Sequence, residues 1–337
     1  MNDTLTPNTQ AMLLLTAPLI AGRKECNAQL LTLREYNRLA RILTKNDKQP
    51  ADLIGADAGE VIAKCAVPFG QERLRELLGR GFLLGQAVER WHSRAIWVVS
   101  RADPNYPKQL KKRLMEDSPP VLYGCGDPAL LELGGLAVVG SRQANDDRVG
   151  YSEAVGRLAA EAGLVLVSGG AKGIDRAAMN GALQAGGRAV GIVADRLEPA
   201  VLARDNRERL IDQRLTLVSP YDPAAAFNIG QAMQRNKLIY AIADAGLIVT
   251  SEFKKGGTWS GAVEQLERGC VVPVFVRKDP QERSGNSALL NLGGVAWPEP
   301  QDGDQLKKAL ETATETLLTR PHQESFSFNL QEDAREK

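Results

Sequence analysis

Two glycine-bearing turns carry the residue types best suited to holding an anion. The first closes the apolar run Leu136-Ala137-Val138-Val139 as Gly140-Ser141-Arg142, and the second follows Leu164-Val165-Leu166-Val167 as Ser168-Gly169-Gly170-Ala171-Lys172-Gly173-Ile174-Asp175. Glycines let backbone N–H groups approach a phosphate closely, and a helix N-terminus adds partial positive charge. Arg142 and Lys172 would add full charges beside those amides. The plainer alternative is that the glycines only make tight turns between packed elements.

Two later stretches have related composition. Arg235-Asn236-Lys237 precedes Leu238, Ile239 and Ile242 on one helix, so its cations either bind phosphate or lie on a solvated face. Lys254-Lys255-Gly256-Gly257-Thr258-Trp259-Ser260-Gly261 places glycines, hydroxyls and cations after an apolar run that ends at Thr250. The candidate phosphate contacts are therefore Gly140, Ser141, Arg142, Ser168, Gly169, Gly170, Lys172, Arg235, Asn236, Lys237, Lys255 and Thr258. Trp259 either stacks a base or fills core. Glu264 is the carboxylate placed to act near the last loop, and Asp175 is placed to cap or orient its own.

Other chemistries find little support. Cys26, Cys65, Cys125 and Cys270 are scattered without metal-ligand spacing, and the two histidines, His92 and His322, fall outside the glycine-rich region. This argues against a metal site and a disulfide framework and suits a reducing cytoplasm. No Walker GKS or GKT sequence and no Ser/His/Asp or Cys/His arrangement is present, so no catalytic residue and no cofactor is expected. With 42 basic and 41 acidic residues among 337, the formal charge is +1, so anion affinity must come from local clustering. The apolar run Ala11 to Ile20 is too short to span a bilayer and contains Pro18.

The elements that must position these residues alternate. Strands are expected at Leu136–Val139, Leu164–Val167, Ala189–Val193, Thr216–Val218, Gly246–Val249 and Val271–Val276. Helices are expected near Val149–Ala162, Ile174–Ala185, Ala200–Gln213, Ile229–Ala243 and Ser260–Arg268. That pattern predicts a mostly parallel α/β sheet with helices on both faces. Residues 1–100 read as a small helical domain that ends in a strand at Ile96–Val99. A capping box stands at Thr32 and Glu35, and the basic group Arg73, Arg75 and Arg80 reads as a solvated face or a nucleic-acid contact. Residues 101–133 read as a linker or extension, 134–300 as the sheet domain, and 301–337 as a C-terminal helix with a mobile tail.

In motif content the chain resembles the DprA/Smf family of DNA-processing proteins, within the Rossmann-like SLOG superfamily. The blocks are Asp103-Pro104-Asn105-Tyr106-Pro107, Pro120-Val121-Leu122-Tyr123, the two glycine turns with Ala177-Ala178, Arg235-Asn236-Lys237-Leu238-Ile239, and Gly285-Asn286-Ser287 with Leu289-Leu290. The resemblance implies an extended Rossmann-like domain, a helical, SAM-like N-terminal domain, binding of single-stranded DNA through phosphates, a homodimer, and loading of a RecA-type recombinase. Carried over by position, Arg142, Lys172, Arg235 and Lys237 become phosphate contacts, with Gly140, Ser141, Ser168, Gly169 and Gly170 as the pocket floor. The chain departs from the family pattern at Met179, across Ala194–Leu202 and at Ser219-Pro220-Tyr221, and no winged-helix pattern follows the sheet domain. A divergent member of this kind fits an alternative recruitment to a toxin–antitoxin or phage-defence module, binding DNA and a protein partner. A further alternative, from Gly256-Gly257-Thr258 with Glu264, is a phosphoribohydrolase-like enzyme acting on nucleoside monophosphates.

Overall fold

The computed structural model describes residues 5–20, 29–66, 68–267, 272–278 and 285–319. The expected strand residue Val271, Cys26, Cys270, His322 and the tail beyond 319 lie outside the described residues.

Five helices come first: α1 Pro7–Thr16, α2 Leu33–Lys45, α3 Ala58–Cys65, α4 Gln71–Leu78 and α5 Gly81–His92. The start of α2 is fixed by its capping box, in which Glu35 N donates to Thr32 Oγ1 (3.2 Å) and Thr32 N donates to Glu35 Oε2 (2.8 Å). Arg73 binds the same carboxylate at 2.7 Å, and its hydrogen bond holds Glu35 down to about 2. Arg80 is buried and donates to the carbonyls of Leu14 and Ala17. Arg73 and Arg80 thus fasten helices together, which corrects the expectation of a solvated basic face. Only Arg75 of that group is exposed.

The remaining elements are β1 Trp97–Ser100, α6 Lys108–Leu114, β2 Val121–Cys125, β3 Leu136–Gly140, α7 Asp146–Glu161, β4 Val165–Ser168, α8 Ile174–Gln184, β5 Arg188–Ile192, α9 Leu197–Leu202, α10 Arg204–Ile211, β6 Leu215–Ser219, α11 Ile229–Ile242, β7 Ala245–Thr250, α12 Gly256–Glu267, β8 Val274–Val276, α13 Gly285–Asn291, β9 Val295–Ala296 and α14 Gly303–Thr319. Among the described residues these strands form one sheet in the order β1-β2-β6-β5-β4-β3-β7-β8-β9. Pairing is parallel from β6 through β9, whereas β2 runs antiparallel to both β1 and β6. The stretch 101–133 therefore supplies α6 and a fully buried strand to the sheet.

Alternate strand residues face opposite layers, as a sheet covered on both sides requires. Leu136 and Val138 of β3 join a core that includes residues of α1–α5, α7, α8 and α14, while Ala137 and Val139 join one that includes residues of α6, α11 and α12. The helical N-terminal region and one face of the sheet share a continuous core. Two helix expectations change in detail: the segment 200–213 breaks at Ala203 into α9 and α10, and α12 begins at Gly256, one turn before Ser260.

From β3 the chain steps outward through β4, β5 and β6, then returns to place β7 on the other side of β3. The strand order reverses there, and the crevice at the carboxyl ends of such strands is where open α/β sheets bind ligands.

Candidate nucleic-acid interface

The turns after β3, β4 and β7 are tied to one another by their own polar groups. Ser168 Oγ, fully buried, donates to Val138 O at 2.6 Å. Thr258 Oγ1 donates to Gly140 O at 3.0 Å, joining the start of α12 to the end of β3. Asn236 Nδ2 donates to Gly257 O at 3.0 Å, joining α11 to the same helix start. Ser141 Oγ accepts from Gln143 N at 3.1 Å and closes its own turn. Ser141, Ser168, Asn236 and Thr258 are thus occupied in shaping the crevice.

Gly173 lets two of the turns nest. Its φ is +83°, and a β-carbon there would stand 2.5 Å from Ser141 O. The carboxylate of Asp175 lies behind both turns, fully enclosed, accepting from Gly140 N at 3.3 Å and from the backbone of Ala171 and Gly169. Burial pushes its pKa up to about 6, against the opposing pull of Arg235 and those N–H groups.

The cations separate into three kinds. Arg142, Lys172 and Lys255 are exposed at the rim, with Lys255 Nζ 2.8 Å from Glu252 Oε1. Lys237 is mostly buried and pairs with Glu264 at 3.1 Å, so both members of this pair have a structural partner. Arg235 is different: it is 5% exposed, and among the described residues its Nε and Nη1 have no hydrogen-bond partner. Burial lowers its pKa, Asp175 opposes that shift, and the charge of Arg142 adds to it. A guanidinium remains ionised under such perturbation. A buried, charged donor without an acceptor is costly, and an anion is the acceptor that would satisfy it.

The remaining candidates take structural places. Trp259 packs partly buried against the core, edge-on to Phe253 with ring centroids 5.0 Å apart. With Glu264 held by Lys237, the base-cleaving reading gains no support from this geometry. Asn286 is fully buried, donating to Val249 O and Arg277 O while its Oδ1 accepts from Ser251 N and Oγ, so the Gly285-Asn286-Ser287 block locks the end of β7. In the divergent segment, Glu198 of α9 binds Arg90 of α5 and Arg94 in the turn that follows α5, which makes it a contact with the N-terminal helical region. Among the described residues no group of His, Cys, Asp or Glu is placed to hold a metal ion, and no helix is long and apolar enough to cross a membrane.

Two aromatics at the interface were not among the expected phosphate contacts. Tyr221 hydroxyl donates to Gln231 O at 3.1 Å and holds the first turn of α11. Phe227 lies with the Arg142 guanidinium 5.4 Å from its ring centroid. The available signal was two aromatics, Tyr221 and Phe227, in the Pro-bearing loop between β6 and α11.

Residues 97–304 match the family model for DNA recombination-mediator protein A. The chain belongs to this family. Among curated relatives, it is 25% identical over 234 residues to protein Smf of Synechocystis sp. (67% of this chain, 58% of that protein). It is 31% identical over 208 residues to protein Smf of Escherichia coli (58% and 53%). It is 29% identical over 193 residues to DNA processing protein DprA of Bacillus subtilis (55% and 62%). The chain thus spans between 53% and 62% of the length of these relatives. The X-ray structure of DprA from Streptococcus pneumoniae superposes with a TM-score of 0.64 at 21% identity, over 91% of this chain and 99% of that one. DprA from Helicobacter pylori, whose structure concerns its single-stranded DNA binding mode, superposes with a TM-score of 0.52 at 23% identity, over 66% of this chain and 96% of that one. These likenesses establish the DprA fold, with a Rossmann-like sheet at its centre.

Proposed function

We propose that this protein binds single-stranded DNA through its phosphates, at the carboxyl edge of β3, β4 and β7, and acts in DNA processing or recombination. The observation that carries the reading is the buried Arg235 guanidinium, whose Nε and Nη1 lack a hydrogen-bond partner among the described residues, enclosed beside the glycine turn at Gly169. Arg142, Lys172 and Lys255 stand at the rim as further phosphate contacts, and the glycine turns add backbone donors. Family membership and the single-strand binding described for the H. pylori protein support the same ligand.

A site built from phosphate contacts should be weakly sequence-dependent and should weaken steeply with salt. Duplex DNA should bind less well, because its stiff backbone does not bend into a crevice. Self-association and transfer of the strand to a RecA-type recombinase, or recruitment by a toxin or defence protein, are the partnerships that accompany this reading. Light scattering and pull-down against purified candidates distinguish them.

The test is fluorescence anisotropy of a labelled oligo-dT strand and its duplex counterpart at two salt concentrations, with wild type, Arg142→Glu and Lys172→Glu. The expected result is single-strand preference, strong salt sensitivity and a loss of at least tenfold in each variant. Absence of binding at low salt would overturn the proposal.

A further inference from the structure

The loop before α11 and the first turns of that helix display three large apolar side chains to solvent: Phe227 (48% exposed), Ile229 (70%) and Met233 (42%). Ile229 and Met233 are four residues apart and share one helix face. The cluster is joined to the phosphate crevice through one residue. Arg142, at the end of β3, places its guanidinium 5.4 Å from the centroid of Phe227, within cation–π range, and its charge also acts on buried Arg235.

We propose that Phe227, with Ile229 and Met233 around it, is a stacking shelf for an unstacked nucleobase of the strand whose phosphate meets Arg235. The inference rests on the DNA-binding reading and adds a base contact to it. Charge selects this occupant. A backbone phosphate drawn to Arg142 and Arg235 carries its base into the same neighbourhood, and an aromatic face beside cations is the usual platform for successive bases of a single strand. The ring is half open, with the guanidinium on one side and surface left for a base. Base–aromatic stacking tolerates every base because each has a π face, so the shelf adds affinity without sequence selection.

The experiment compares a labelled oligo-dT with an abasic strand of the same length and phosphate number, for wild type, Phe227→Ala, Phe227→Trp and Arg142→Glu. Wild type should prefer oligo-dT by roughly five- to a hundredfold, the range expected for one stacked base. Phe227→Ala should reduce oligo-dT binding to the abasic level and leave abasic binding within twofold. Phe227→Trp should retain the preference. Arg142→Glu should weaken both strands. Equal binding of the two strands by wild type, or an equal loss of both in Phe227→Ala, would overturn the shelf while the phosphate reading stood. Failure of wild type to bind either strand at low salt would remove the phosphate reading itself. Circular dichroism and an unchanged urea midpoint establish that each variant is folded.

Discussion

Arg235 and Asp175 meet on the open side of Gly169. A β-carbon added at Gly169 would overlap Arg235 Nη1 and stand 2.6 Å from Asp175 Oδ2. The absent side chain is therefore the space in which an opposite-charge pair sits behind the second glycine turn. The carboxylate is tied to the backbone of three turn residues and holds the loop, while the guanidinium retains donors for a ligand.

Gly169→Ala should displace Arg235 and reduce oligo-dT affinity by about tenfold or more, with overpacking costing roughly 1–3 kcal/mol of stability. Gly170 provides the comparison. Its φ is +65°, and an added β-carbon would meet only Val193 Cγ1 at 3.7 Å. Gly170→Ala should cost roughly 1–2 kcal/mol through backbone strain and spare Arg235. Anisotropy with urea unfolding separates them; equal losses of affinity would show that Arg235 placement is not what Gly169 protects.

The raised pKa of Asp175 sets a pH dependence. In the folded state it titrates near 6, above its ordinary 3.8, so between those values the folded protein binds more protons than the unfolded chain. The stability from this group is fully present below the unfolded pKa and is lost as pH rises through about 6. Protonation also removes the negative charge facing Arg235, in a setting that includes Arg142, Asp195 and Tyr221. Affinity for oligo-dT should therefore rise several-fold as pH falls from 7 to 5.5 at constant ionic strength. Asp175→Asn should flatten that slope, and an identical slope in both proteins would refute the assignment.

How far the sequence foretold this arrangement depends on the kind of signal each element carries. The alternation of apolar runs with helical stretches from Leu136 onward marks β3 to β7 and their helices within a few residues, because buried parallel strands are short and continuously apolar. Strand β2 was hidden: Pro119 and Pro120 precede it, and its partner β6 is distant in sequence. Helix α1 was hidden for the opposite reason. Met12, Leu13, Leu14 and Leu15 are all buried, and a helix enclosed on every side has no amphipathic period to read. At the site, residue type located the turns, but geometry alone separates a cation that is paired, as Lys237 is, from one that is not, as Arg235 is. Charge and spacing are identical inputs for both.

Lys237 and Glu264 test that distinction. Their side chains are 14% and 27% exposed and lie 3.1 Å apart, bridging α11 and α12. Glu264→Ala should lower stability by about 1–3 kcal/mol by leaving a largely buried ammonium without its carboxylate, and should change oligo-dT affinity less than threefold. Lys237→Met should likewise affect binding less than Arg142→Glu does. A Glu264→Ala protein that kept full stability but lost release of free base from a nucleoside monophosphate would instead restore the enzymatic reading.

The last prediction concerns how the helical region is fastened to the sheet domain. Glu198 on α9 is 6% exposed and receives Arg90 Nε at 3.0 Å and Arg90 Nη2 at 3.1 Å, with Arg94 ion-paired to the same carboxylate. A second link lies beside it, where buried Asp222 accepts from Ile20 N at 3.1 Å and from Ala224 N at 3.0 Å. Glu198→Ala removes one acceptor that serves two guanidiniums, and breaking a buried pair from one side costs roughly 3–5 kcal/mol. Glu198→Gln keeps the acceptor oxygen and should cost less. Hydrogen exchange should localise the effect: amides of α5 and α9 should lose protection in Glu198→Ala while those of β3, β4 and β7 keep theirs. Uniform loss of protection across the sheet would mean that the two regions unfold as one unit and that the salt bridge serves the whole core.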